Sequence, residues 1–168
     1  MSLSSCCLDV KFTPSTPAQG KVEKLAGVDT YVTGDTKSKS AILFVADFFG
    51  ISLHNSRLLA DKYAKGLGAA VYIPDYFDGN DLVKQGILEG KSVDIPGFLG
   101  KYPPREPAWK QSEKFVAEIK KQQPGAKVGA VGFCWGATSC LHLGSKNAGD
   151  SIVDAIAFCH PSLVETSE

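Results

Sequence analysis

The stretch Val128–Gly136, VGAVGFCWG, constrains the fold of this chain more than any other. A short run of apolar and small residues leads into Gly132-Phe133-Cys134-Trp135-Gly136, and helix-compatible residues follow at once. The order is strand, sharp turn, helix. Glycines two residues before and after Cys134 leave out the Cβ atoms where helix and strand backbones meet at such a turn. Cysteine stands where a G-x-S-x-G elbow has its serine, lifted above a sheet with a helix N-terminus behind it. The positive end of a helix lowers a thiol pKa and raises its thiolate fraction. Cys134 therefore has two readings, an activated nucleophile or a buried cysteine in a strand–helix corner. The strand before it and the helix after it favour the nucleophile.

The flanking segments supply a sheet for this turn. Residues 1–20 carry Thr13-Pro14, Thr16-Pro17 and Gly20 without periodicity and read as an irregular leader ahead of a domain over 21–168. KVEKLA and VDTYVT flank Gly27 as a hairpin. Ala41–Ala46 and Ala69–Ile73 are unbroken apolar runs of strand length, the pattern of strands covered on both faces of a parallel sheet. Helical spacing marks Asn55–Gly66, Glu106–Gln122 and Ala137–Leu143, and a short helix is expected around Leu82–Leu88 before a Gly/Pro-rich excursion to Arg105. Lys127–Val131 and Ser151–Phe158 read as further buried strands. Strand–helix alternation predicts an α/β fold with a mostly parallel sheet and helices on both faces. Active sites of such sheets lie at the carboxyl ends of the strands. Asp47, Asp75, Cys134 and His160 all fall just past such ends.

Composition narrows the function classes. Eighteen basic residues balance eighteen acidic ones, so no field favours nucleic acid or an anionic membrane. No apolar run reaches the roughly 18 residues of a bilayer span, and the first residues lack a secretory pattern, so a cytoplasmic address is expected. Five cysteines, with Cys6 and Cys7 adjacent and no C-x-x-C, fit neither a disulfide framework nor structural zinc. No cofactor is expected: there is no Gly-rich phosphate loop, and the elbow lacks the lysine of one.

Taken together, GVDTYVTG, the strand ending in DFFG, NSRLLADKYA, VYIPDYFDG, YPP and VGFCWGA resemble, in order, the dienelactone hydrolase family, the cysteine branch of the α/β-hydrolases. The His160-Pro161-Ser162 segment is similar to that of fungal members. The resemblance implies an α/β-hydrolase fold and hydrolysis of a small ester or lactone. It implies Cys134 as nucleophile and the backbone N–H groups of Phe48 and Trp135 as the oxyanion hole. Asp47 falls where the family carries an acidic residue that meets the resting thiol; a loop-capping carboxylate is the equal alternative.

The family order continues from nucleophile to acid to histidine, and neither of those later segments is found here. The chain therefore reads as a member cut short, without its last strands and helices. Of the three histidines, His54 reads as exposed or a local cap. His142 lies about 12 Å along its helix from the thiol, too far to touch it. His160 is the candidate substitute base, or else a pocket wall. The alternative to an active hydrolase is an impaired homologue that binds small molecules or a partner, or a thiol sensor. An uncovered Ser151–Phe158 edge predicts self-association.

Overall fold

A computed structural model describes residues 15–145 and 152–165. The hairpin comes first: Ala26 and Gly27 both take positive φ, 50° and 82°, as a two-residue turn between right-twisted strands requires. It joins β1 (Lys21–Leu25) to β2 (Val28–Thr33), with Leu25 opposite Val28. β2 then pairs antiparallel with β4 (Ala70–Pro74). From there the sheet is parallel through β3 (Ser40–Val45), β5 (Lys127–Phe133) and β6 (Ala155–Cys159), in the order β1-β2-β4-β3-β5-β6.

Alternation along β3 divides the core between two faces. Leu43 and Val45 face one cluster, with Phe115, Val116 and Ile119 of α3 (Glu106–Gln122) and Cys140 and Leu143 of α4 (Ala137–Gly144). Phe44 faces the other, with Ala60 and Ala64 of α1 (His54–Leu67). This is the expected α/β sheet with helices on both faces. Gly68, at φ 60°, ends α1 and turns its N–H onto Ala64 O, and Pro107 lies in the first turn of α3 as its fixed φ allows. Among the described residues no helix is long and apolar enough to cross a membrane.

Two expectations fail locally. The stretch around Leu82–Leu88 is a series of turns ending in the 3-10 turn Ile87–Glu89, because Gly86 and Gly90 take φ 89° and 79° and bracket it. The helix of this region is instead α2 (Ile95–Lys101), started by Asp94, whose carboxylate accepts the Gly97 N–H at 3.0 Å. The last strand begins at Ala155 rather than Ser151 and is not buried: all five of its residues are exposed. An apolar run reads alike for a central and an end strand, and among the described residues β6 has a neighbour on one side only. Ser151, residues 1–14 of the expected leader and the Cys6-Cys7 pair lie outside the described residues.

Candidate active site

β5 ends with Phe133 fully extended, and Cys134 then turns to φ 49°, a left-handed conformation that costs a non-glycine residue about 1–3 kcal/mol. The single-turn 3-10 helix Cys134–Gly136 runs on into α4. The glycines permit it. A Cβ on Gly132 would stand 2.5 Å from Gly136 O and 2.8 Å from Cys140 Sγ. A Cβ on Gly136 would stand 2.8 Å from Ala46 O and closer still to Val45 O, so the turn rests directly on the end of β3. Trp135 bolts the turn down from below. Its indole N–H donates to Tyr102 O at 2.9 Å, and its rings meet Tyr76 and Phe77 edge-on at 5.4 and 4.9 Å. Thr138 of α4 adds a hydroxyl bond to Pro104 O. Cys134 is 4% exposed. Cys140 lies deeper, and burial pushes its thiol up to about 12, so it stays protonated at neutral pH.

Beside the elbow, β3 gives way to Asp47-Phe48-Phe49-Gly50. Val45 pairs with Gly132, so Asp47 and Cys134 each lie two residues past that last pairing on adjacent parallel strands. The Asp47 carboxylate accepts the Phe49 N–H at 2.9 Å and its carbonyl accepts the Gly50 N–H at 3.0 Å, closing a tight turn. Leu82 N–H donates to Phe48 O at 3.1 Å and holds that peptide in place. The N–H of Trp135 belongs to the first turn of its helix, where backbone donors lack intrahelical acceptors. Burial raises the Asp47 carboxyl to about 7, against the Phe49 N–H bond and with help from Asp81. Asp75, past β4, spends both carboxylate oxygens on the N–H groups of Phe77 and Gly79 and serves its own turn.

β6 brings the third element. Phe133 pairs with Cys159, so His160 stands level with Cys134. The His160 ring nevertheless turns to Phe133, 6.3 Å between centroids, and is exposed. Ser162 takes the place beside the sulfur: Cys134 Sγ donates to Ser162 Oγ at 3.2 Å, and Ser162 N–H donates to Cys134 O at 3.3 Å. The His160 backbone thus lies level with Cys134, while the side chain that meets the thiol belongs to a serine two residues on. Ser162 carried no signal beyond its position after His160-Pro161. His54 bonds Thr16 O at 2.8 Å. His142 bonds Glu113 at 2.7 Å and stacks on Trp109. The three histidines are thus turned to Thr16, to Glu113 with Trp109, and to Phe133.

The model of the dienelactone hydrolase family matches residues 28–168. This chain belongs to the dienelactone hydrolase family. Dienlactone hydrolase 1 of Gibberella moniliformis is 32% identical over 170 residues, covering 96% of this chain and 62% of its own. Hydrolase pyvD of Aspergillus violaceofuscus is 29% identical over 175 residues, covering 98% of this chain and 64% of its own. The chain thus spans under two thirds of the length of these relatives. The solved structure of a proposed dienelactone hydrolase from Klebsiella pneumoniae covers 88% of this chain and 61% of its own, with TM-score 0.63 at 17% identity. That similarity gives the α/β-hydrolase fold to this dienelactone hydrolase family member.

Proposed function

We propose that this protein hydrolyses a small carboxylic ester or lactone through a Cys134 thiolate. The observation that carries the reading is the φ of 49° at Cys134, held between glycines where an added Cβ would press on backbone. The sulfur attacks the carbonyl carbon, and the oxyanion that forms lies between the N–H groups of Phe48 and Trp135. Collapse expels the alcohol, which takes up a proton, and leaves a thioester on Cys134. Water then cleaves the thioester, releasing the acid and restoring the thiol. Asp47 is the proton carrier we assign, because a carboxyl near 7 is matched to exchange at neutral pH, and His160 is a wall of the site. Purified protein and Cys134→Ala, mixed with p-nitrophenyl acetate, test this. A burst followed by turnover, both lost in the variant, is expected; equal rates in the two would sink the assignment.

A second reading has its own support. Cys134 Sγ meets Ser162 Oγ at 3.2 Å and the His160 ring turns to Phe133, an arrangement in which acylation outruns deacylation and the thioester accumulates. A burst of one equivalent per chain without turnover would decide for it.

We also propose that the β6 edge pairs with a second copy of the chain. Ile156 and Phe158 are 36% and 40% exposed on a strand that has one neighbour among the described residues. Sedimentation equilibrium is expected to show concentration-dependent association that Phe158→Lys weakens at least tenfold. A monomer at every concentration would contradict it.

A further inference from the structure

We propose that the Ser162 hydroxyl sets the reactivity of the Cys134 thiol, and that Arg105 is a positioning residue that holds Ser162 against it. This rests on Cys134 being the nucleophile. Two bonds tie the serine to the cysteine, one from Sγ to Oγ at 3.2 Å and one from Ser162 N–H to Cys134 O at 3.3 Å. The segment that carries Ser162 is bent twice, with φ 38° at His160 and 62° at Leu163. Both values are unusual for side chains with a Cβ, so something outside the segment must hold it.

Arg105 does so from across the site. One guanidinium nitrogen, Nη2, donates to Leu163 O at 2.9 Å and also meets Glu165 Oε1 at 2.7 Å. Arg105 is itself anchored, because it precedes α3 and follows Pro104, whose carbonyl accepts the Thr138 hydroxyl from the elbow helix. The contacts close a ring: Cys134 to α4, α4 to Pro104, Arg105 to Leu163, and Ser162 back to Cys134. The two N–H groups of Nη2 suffice to hold the carbonyl and the carboxylate together.

The chemistry follows from which form each bond favours. The protonated thiol donates to Ser162 Oγ. Once the proton has left for solvent, the hydroxyl rotates and donates its own hydrogen to the sulfur anion. The bond to the sulfur anion is charge-assisted and about twice as strong as a neutral one, while S–H is a weak donor, so the exchange favours the thiolate and lowers the pKa. Cys140 is the internal contrast, a thiol under burial alone. Ser162 therefore gives a nearly buried sulfur the thiolate that attack requires.

The test is the pH dependence of iodoacetamide alkylation, read on the Cys134 peptide by mass spectrometry in the full chain. Ser162→Ala is expected to move the midpoint up by about one pH unit, a roughly tenfold slower reaction below it. Ser162→Thr, which keeps the hydroxyl, should return the midpoint toward the native value. Arg105→Ala should move it in the same direction as Ser162→Ala and less far. A Ser162→Ala profile that superimposes on the native one overturns the proposal, as does a threonine variant shifted as far as the alanine one. Should Ser162→Ala fail to fold by circular dichroism, an unshifted Arg105→Ala overturns it instead. The nucleophile reading is checked separately on native protein. Absence of an acetyl adduct on Cys134 after p-nitrophenyl acetate would remove that reading and leave the alkylation shifts standing.

Discussion

Gly136→Ala is expected to lower stability by about 3 kcal/mol or more and to abolish acyl transfer. The added Cβ would stand 2.8 Å from Ala46 O and closer to Val45 O, and both are backbone atoms of the central strand's end. No side-chain rotation relieves such a contact, so the elbow must lift away from β3. Overpacking typically costs about 1–3 kcal/mol where side chains can give, and collision with backbone belongs at the top of that range. For a chain of this size the change corresponds to a fall of roughly 6–12 °C in Tm. Lifting the elbow also moves the Trp135 N–H away from the Phe48 N–H, so both groups of the proposed oxyanion hole lose their common target. Gly66→Ala is the control, since a Cβ there meets nothing within 4 Å on an exposed turn of α1. Thermal unfolding followed by circular dichroism separates the two. A Gly136→Ala protein that melts with the native one would show that the elbow does not rest on β3.

That contact explains what could be read in advance. Gly132, Cys134 and Gly136 sit within five residues, and the apolar runs that become β3, β4 and β5 are continuous, so turn and sheet are both local patterns. Asp47 was legible because it directly follows the apolar run Ala41–Ala46. α2 was hidden by its own composition: Pro96, Gly97 and Gly100 argue for a loop, while the Asp94 cap and a proline in the first turn decide for a helix. The exposure of β6 was illegible because burial of an apolar strand depends on neighbours that its own residues do not name. Ser162 was hardest to find. Its contact with Cys134 needs the β5–β6 register, two left-handed residues at His160 and Leu163, and an arginine 57 positions before it. No periodicity encodes that combination, and histidine chemistry drew attention to the residue two places earlier.

Asp47→Asn separates the two roles left open for this carboxylate, and it is expected to act on stability and on turnover in opposite directions. Asparagine keeps an oxygen for the Phe49 N–H, so the turn survives and only the titration is removed. In the folded chain the carboxyl holds its proton to about 7; in the unfolded chain it returns to its ordinary value of 3.8. Between those values the unfolded state binds fewer protons, so stability falls as pH rises, and the full cost is present above 7. A shift of that size has an upper bound of about 4 kcal/mol, and a partly exposed side chain brings the expected cost to about 2 kcal/mol. Part of that cost is already present at pH 5, so urea unfolding at pH 5 and pH 8 should find Asp47→Asn gaining about 1 kcal/mol on the native protein between the two. Turnover should move the other way. If Asp47 carries the proton, the burst persists at Cys134 while steady-state hydrolysis drops about a hundredfold, the lower range for a lost acid–base group. A pH-independent stability difference would refute the raised carboxyl. Unchanged turnover beside a confirmed stability shift would leave Asp47 as the cap of its turn, and the proton path would have to run through another group.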